Sequence, residues 1–235
     1  MEGERAAKNW KPVTVTTAPL KFQMSQVDAK ALHEYYILPA DLKFDDKLVE
    51  EIWQMRPSEA HKIRIFGKEY YTPRLQQAYG RDYSFSGTIA RSGGPIPLIF
   101  QKLLAYLSKR YSSNFNMMLI NWYRDGNDYI GMHSDDESQM KVNTPVVTIS
   151  LGTERDFFLV EKATKNKQTF LLENNSVFVM GGTCQKTHKH GLPKRKMVKD
   201  YRISLTFREF QWKQGVDDEN GPPQPLVFRP EKNWT

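Results

Sequence analysis

What happens after Asn116 constrains this chain more than any other feature of it. From there onward, short runs rich in β-branched and aromatic residues follow one another: residues 116–123 (NMMLINWY), 145–152 (PVVTISLG), 156–160 (DFFLV), 168–172 (QTFLL), 176–180 (SVFVM) and 201–210 (YRISLTFREF). Turn formers separate them, as in Arg124-Asp125-Gly126-Asn127 and Glu173-Asn174-Asn175. Branched and aromatic side chains suit a pleated, half-buried surface. Many such runs punctuated by turns predict a β-sandwich or jelly roll with helices packed on one side. Strand order and pairing stay open at this level.

Upstream, the period changes from strand to helix. Asp45 or Asp46 is placed to cap a helix running through Leu48, Ile52 and Trp53. Ile99, Leu103, Tyr106 and Leu107 form a second apolar helical face after the Gly-Gly-Pro-Ile-Pro break at 93–97. Residues 1–27 are polar without a sustained period and read as a tail. Residues 211–235, with a Pro-Pro pair and little apolar content, read as a C-terminal extension. The folded body is then one α+β domain over 28–210 without internal repeats.

Composition excludes several classes. No stretch approaches the ~18 consecutive apolar residues of a membrane span. The charged N-terminus lacks the apolar segment of a secretory leader. One cysteine, Cys184, leaves no intramolecular disulfide framework and fits a reducing compartment. A net charge of +7 hints at a polyanionic partner without establishing one.

Two histidine clusters carry the first chemical signal. In an extended segment, residues two apart share a face, so His133 and Asp135 of His133-Ser134-Asp135 can bind one ion together. A solvated turn would have the same spelling. Downstream, His188-Lys189-His190 precedes Gly191-Leu192-Pro193. Two imidazoles and one carboxylate make the facial triad of non-haem iron oxygenases; zinc accepts the same ligands.

The last run adds a second signal. Ile203, Leu205 and Phe207 fill one face of a strand, and Arg202, Ser204, Thr206 and Arg208 line the other. At ~3.3 Å per residue the two arginine Cα atoms stand about 20 Å apart. Long side chains leaning inward bring a short dicarboxylate within reach of both, with Arg202 in a bidentate pair. A solvated edge strand is the plainer alternative.

Taken together and in order, Asn121-Trp122-Tyr123, His133-Ser134-Asp135, His190 and the Arg202–Arg208 run resemble the AlkB family of oxidative demethylases, over roughly residues 60–210. The resemblance implies a double-stranded β-helix (jelly-roll) core with flanking N-terminal helices, and use of Fe(II), 2-oxoglutarate and O2, with ascorbate supportive. It makes His133, Asp135 and His190 the iron ligands. Arg202 pairs with the distal carboxylate of 2-oxoglutarate, supported by Asn121 and Tyr123, with Ser204 and Thr206 on the same face. Arg208 sits nearer the carboxylate beside the metal. His188 becomes a solvated spectator. Ser204 departs from the asparagine common in DNA-acting members; its hydroxyl still offers a hydrogen bond.

Residues 60–90 resemble the nucleotide-recognition hairpins of the family's duplex-DNA repair branch. Phe66 would enter the gap left by a flipped base, with Gly67 allowing the tight turn behind it. Arg74, Tyr83, Phe85 and Ser86 fall on the expected substrate face. Tyr83 and Phe85 would stack on the extruded base, although core aromatics look the same in sequence. Asp136 and Glu137 either favour a cationic methylated base or cap a solvated loop. Lys194, Arg195 and Lys196, among the lysines around His190, are expected to grip phosphates. The implied activity is demethylation of 1-methyladenine and 3-methylcytosine in double-stranded DNA, releasing formaldehyde and succinate. The alternative is a single-stranded DNA or RNA demethylase of the same family. A nuclear monomer without membrane contact is expected.

Overall fold

The computed structural model describes residues 32–65, 67–85 and 88–211. In chain order it contains β1 (Leu32–Ile37), α1 (Asp46–Gln54), β2 (Lys62–Ile65), β3 (Lys68–Tyr71), β4 (Leu75–Tyr79), β5 (Tyr83–Phe85), β6 (Thr88–Ala90) and α2 (Gln101–Tyr111). Then come β7 (Met117–Tyr123), β8 (Ile130–His133), β9 (Val146–Gly152), β10 (Arg155–Glu161), β11 (Lys167–Leu172) and β12 (Ser176–Gly181). The short α3 (Cys184–Thr187), β13 (His188–Leu192) and β14 (Arg202–Arg208) close the described chain. Each of the six runs read from the sequence is a strand: β7, β9, β10, β11, β12 and β14.

Two antiparallel sheets stack. The larger runs β1-β12-β9-β14-β7-β4 and the smaller β11-β10-β13-β8. Phe157 and Leu159 of β10, Leu172 of β11, Phe178 and Met180 of β12 and Val146 of β9 fill the space between them. The Phe157 and Phe178 rings stand 4.8 Å apart at 56°, a tilted contact typical of aromatic cores. This is the jelly-roll core with helices against one face that the β-rich pattern predicts.

The larger sheet is covered on both sides, because α1 and α2 pack on its outer face. Val49 and Ile52 of α1 and Leu103, Leu104 and Leu107 of α2 join Ile120, Trp122, Ile149, Ile203, Leu205 and Phe207 in one apolar cluster. Removing a side chain of that size from water contributes about 1.5–3 kcal/mol. Asp45 caps α1 by accepting from Leu48 N–H at 2.8 Å. The buried Trp122 indole donates to Ile52 O at 2.9 Å and so ties the sheet to that helix. Double coverage explains why β7 and β14 are buried along their whole lengths.

β4, β8 and β13 were not legible as strands. β13 reads His-Lys-His-Gly-Leu, which carries little intrinsic strand preference, and pairing with β10 and β8 imposes the conformation. Two further hairpins, β2–β3 and β5–β6, stand outside both sheets.

Candidate metal centre and cosubstrate cavity

A cavity of about 680 Å³ opens between the sheets. Strand β14 lies between β9 and β7, so its period-2 alternation sends Ile203, Leu205 and Phe207 to the helix-side core. Arg202, Ser204, Thr206 and Arg208 go to the cavity. The same alternation along β7 delivers Asn121 and Tyr123, and β9 adds Thr148.

The smaller sheet contributes the imidazoles. Register pairs His190 with His133, and their ring centroids lie 4.2 Å apart. His133 Nε2 is 3.4 Å and His190 Nε2 3.8 Å from Asp135 Oδ1, and the possible ligand atoms of all three residues lie within 4.8 Å of one another. Bonds of about 2.0–2.2 Å to one ion would span such gaps. His133 Nδ1 lies 2.8 Å from Gly131 O, a contact that orients the ring and turns Nε2 toward Asp135. His188 points elsewhere, with its Nδ1 2.8 Å from Thr187 Oγ1.

One expectation about geometry needs correction. Strand alternation was to bring His133 and Asp135 onto one face, but β8 ends at His133. Asp135 lies in the loop beyond it, and no ladder partner sets its position. Its Oδ2 accepts from Arg208 Nη2 at 2.8 Å, while Oδ1, deeply buried, has no hydrogen-bond partner among the described residues.

The electrostatics follow from burial. Burial alone would raise the Asp135 carboxyl, but the Arg208 guanidinium and the two imidazoles hold it well below its ordinary range. Burial pushes His190 down to about 3, so that ring is the neutral, ligating form. Burial would lower His133 too, but the Asp135 carboxylate beside it and the Gly131 carbonyl together outweigh that and raise it.

The anion end centres on Arg202. Its Nη2 donates to Ser150 Oγ at 2.7 Å, and its guanidinium carbon sits 5.1 Å from the Tyr123 ring centroid. Nε and Nη1 are buried without partners among the described residues. Burial lowers its pKa to about 10, which still leaves it charged near neutrality. A buried cation with two unused donors is costly unless an anion satisfies it. A carboxylate presents the matching pair of acceptors. Triad and arginine together thus fit Fe(II) and a 2-oxoacid.

Arg74, expected on the substrate face, lines this cavity and donates from Nε to Asn121 Oδ1 at 2.8 Å. Ser150 escaped the sequence reading. The signal was there, since Thr148 and Ser150 alternate with Val147, Ile149 and Leu151 on a strand that otherwise looks like core.

At the mouth, Tyr83 is both core and site. Its ring packs near Phe210, and its hydroxyl donates to Glu137 Oε1. Glu137 lines the cavity, where burial raises its carboxyl above the ordinary value; Asp136 is exposed at the rim. Gly67 occupies the β2–β3 turn at φ +76°, a conformation suited to glycine. Phe66, Ser86 and the ring of Phe85 lie outside the described residues. Tyr70, Tyr71 and Ile89 on the two hairpins are exposed.

The basic triplet is more engaged than its composition suggests. Lys194 Nζ lies 4.8 Å over the Tyr129 ring and Arg195 pairs with Asp156, while Lys196 is exposed. The turn carrying them is locked to Gly126: Arg195 N–H donates to Gly126 O at 2.7 Å and Gly126 N–H to Val198 O at 3.0 Å. A Cβ at 126 would meet Arg195 O at 1.6 Å, so only glycine allows this approach. Buried Arg155 fastens the same region through the carbonyls of Asp125, Asp128 and Pro193. Neither residue stood out in the sequence.

A jelly roll that holds two histidines and an aspartate beside a buried arginine defines a class of metal-dependent oxygenase. The chain belongs to the 2OG-Fe(II) oxygenase superfamily, whose family model matches residues 45–208. It is similar to the DNA oxidative demethylase ALKBH2 of Bos taurus, 33% identical over 159 residues that cover 63% of this chain and 57% of that protein. The ALKBH2 of Arabidopsis thaliana is 29% identical over 194 residues (70% of this chain, 60% of that protein). The alpha-ketoglutarate-dependent dioxygenase alkB homolog 3 of Mus musculus is 28% identical over 185 (72% and 62%). The chain thus spans about 60% of the length of the curated relatives it matches. The solved structure of OsALKBH1 shares the fold, with a TM-score of 0.53 at 16% identity over 79% of this chain and 100% of that one.

Proposed function

We propose that this chain is an Fe(II)- and 2-oxoglutarate-dependent dioxygenase that oxidatively removes alkyl groups from DNA bases, acting on 1-methyladenine and 3-methylcytosine in duplex DNA. The observation that carries the chemistry is the pairing of the His133–Asp135–His190 cluster with the two unused donors of Arg202 in one cavity. The substrate rests on the names of the relatives, together with the Glu137 carboxyl in the cavity and with exposed aromatic side chains on the hairpins and an exposed Lys196.

The residues would divide the work as follows. His133, Asp135 and His190 would hold the metal ion. Arg202 takes the distal carboxylate of 2-oxoglutarate, and Ser150 and Tyr123 orient the guanidinium. Arg208 holds the free oxygen of Asp135, so that Oδ1 stays directed at the imidazoles. Glu137, oriented by Tyr83, faces the base, where a carboxylate favours the positive charge of a base methylated at a Watson–Crick nitrogen. When bound, iron, 2-oxoglutarate and O2 supply the oxidation that converts the N-methyl group to formaldehyde while the cosubstrate leaves as succinate and CO2; ascorbate keeps the iron reduced. Residues 28–210 form the dioxygenase unit, and a monomer working in the nucleus fits this role.

The test is a duplex oligonucleotide carrying one 1-methyladenine, incubated with protein, Fe(II), ascorbate and O2, with or without 2-oxoglutarate, and weighed by mass spectrometry. Loss of one methylene mass that depends on 2-oxoglutarate and disappears in His133→Ala supports the proposal. Parallel single-stranded DNA and RNA arms decide the strand preference. No mass change on any arm, with iron bound, would sink the nucleic-acid reading.

A further inference from the structure

Three observations concern how Asp135 is held. Its carboxylate has a task, but β8 ends two residues earlier, so its backbone has no strand partner. Its amide N–H instead donates to Gln185 Oε1 at 2.9 Å. One residue before, Ser134 Oγ donates to His188 O at 2.7 Å. Both contacts run from the loop bearing Asp135 to α3 and the start of β13, the segment that leads into His190.

Gln185 is itself fixed. Its Nε2 lies 3.5 Å from Met180 Sδ, and its carbonyl accepts from Lys162 Nζ at 3.1 Å. Lys162 N–H also donates to Thr187 O at 2.7 Å, so both ends of the one-turn helix are tied to the turn after β10. Asp135 and its neighbour Ser134 are thus joined to α3 and the first residue of β13 by two side-chain bonds where sheet hydrogen bonding has run out.

We infer that Gln185 is a positioning residue of the metal centre, whose side-chain oxygen replaces the missing ladder partner of Asp135 and holds that ligand in register with His190. Without the acceptor, a part-buried backbone N–H loses its partner and the loop is free to draw the carboxylate away from the imidazoles. Groups that orient metal ligands from behind typically change metal affinity about 10–100-fold when removed. The inference rests on the metal-site reading above and is independent of which substrate the protein takes.

The test titrates the full-length chain anaerobically with Fe(II) in the presence of 2-oxoglutarate, following the visible metal-to-ligand absorption, and repeats the titration with Co(II) for its ligand-field spectrum. Gln185→Leu keeps the volume and removes the acceptor; it is expected to weaken metal binding ~10–100-fold and alter the Co(II) spectrum. Gln185→Asn, too short to reach, should behave alike and serves if the leucine variant does not fold. Gln185→Glu keeps an acceptor in place and should restore most of the affinity. Unchanged affinity and spectrum in the leucine and asparagine variants would overturn the inference, even with a lowered melting temperature, since that would mark a structural role alone. Failure of the glutamate variant to recover would overturn it as well. A wild-type chain that takes up neither metal would overturn the metal-site reading, and this inference with it.

Discussion

At the deep end of the cavity, Arg202 and Arg208 stand on β14, hydrogen-bonded to a strand on each side, and the imidazoles stand on paired strands of the smaller sheet. By contrast, some of the residues expected to meet substrate, Gly67 and Tyr83 among them, stand on β2–β3 and β5–β6, two-stranded hairpins outside either sheet. An isolated two-stranded ribbon is marginal by itself, whereas the central strand of a doubly covered sheet can shift only by breaking ladders on both edges. The contrast suits two tasks. Metal and cosubstrate need a site preorganised to a fraction of an ångström, and a large substrate needs an approach surface that adapts.

The strongest way to break this contrast is to attack the deep end. Asp135→Ala leaves the Arg208 charge buried and unpaired, which should cost about 3–5 kcal/mol of stability and abolish metal binding. Urea denaturation and a metal titration check both. Phe207→Ala, on the face of β14 opposite Arg208, should cost a similar ~3–5 kcal/mol through cavity creation, yet leave metal binding intact in the folded fraction. If both variants lost metal equally, the two faces of β14 would not be separable.

A gentler change at the same end sharpens the picture. Arg202→Lys keeps a cation but gives up the planar fork, so 2-oxoglutarate binding should weaken by about 1.5–3 kcal/mol, roughly ten- to a hundredfold in Kd. Calorimetry on the metal-loaded protein measures it.

At the mouth, effects on folding should shrink. Tyr83→Phe removes one hydrogen bond to Glu137 and should lower stability by about 1 kcal/mol, read from the urea midpoint. Tyr71→Ala should fall within about 0.5 kcal/mol of wild type in stability, while duplex binding weakens with an unchanged salt slope. Lys196→Ala should instead lower that slope by about one. Fluorescence anisotropy across a salt series separates the two, and a large stability loss in Tyr71→Ala would refute the division between rigid end and adaptable mouth.

Legibility followed the same division. Strands whose side chains alternate against a core announced themselves, as did the capped helix from Asp45 and the two-faced run ending at Arg208. Tyr123 lies beside Arg202, Asn121 beside Ser204 and His190 beside His133. β4, β8 and β13 did not announce themselves, because polar or glycine-bearing segments become strands only when neighbours pair with them. Gln185, Arg155 and Gly126 were silent for a related reason. Each acts on a backbone group that is remote in sequence, and a single side chain carries no mark of which carbonyl or amide it will meet.

Period-2 patterning is a local property, so residue order alone gives β14 one apolar and one polar face and points to a β-sandwich flanked by helices. Register is not local. A slip of one residue between β8 and β13 would turn His133 from the cavity to the opposite face, and nothing within either segment forbids it. Assembly of the two sheets turns His133 toward His190, brings Asp135 to them from a loop and buries Arg202 with two donors to spare. Those arrangements depend on ladders, packing and side-chain contacts between segments remote in the chain; Arg202 and Tyr123, paired across β14 and β7, lie 79 residues apart.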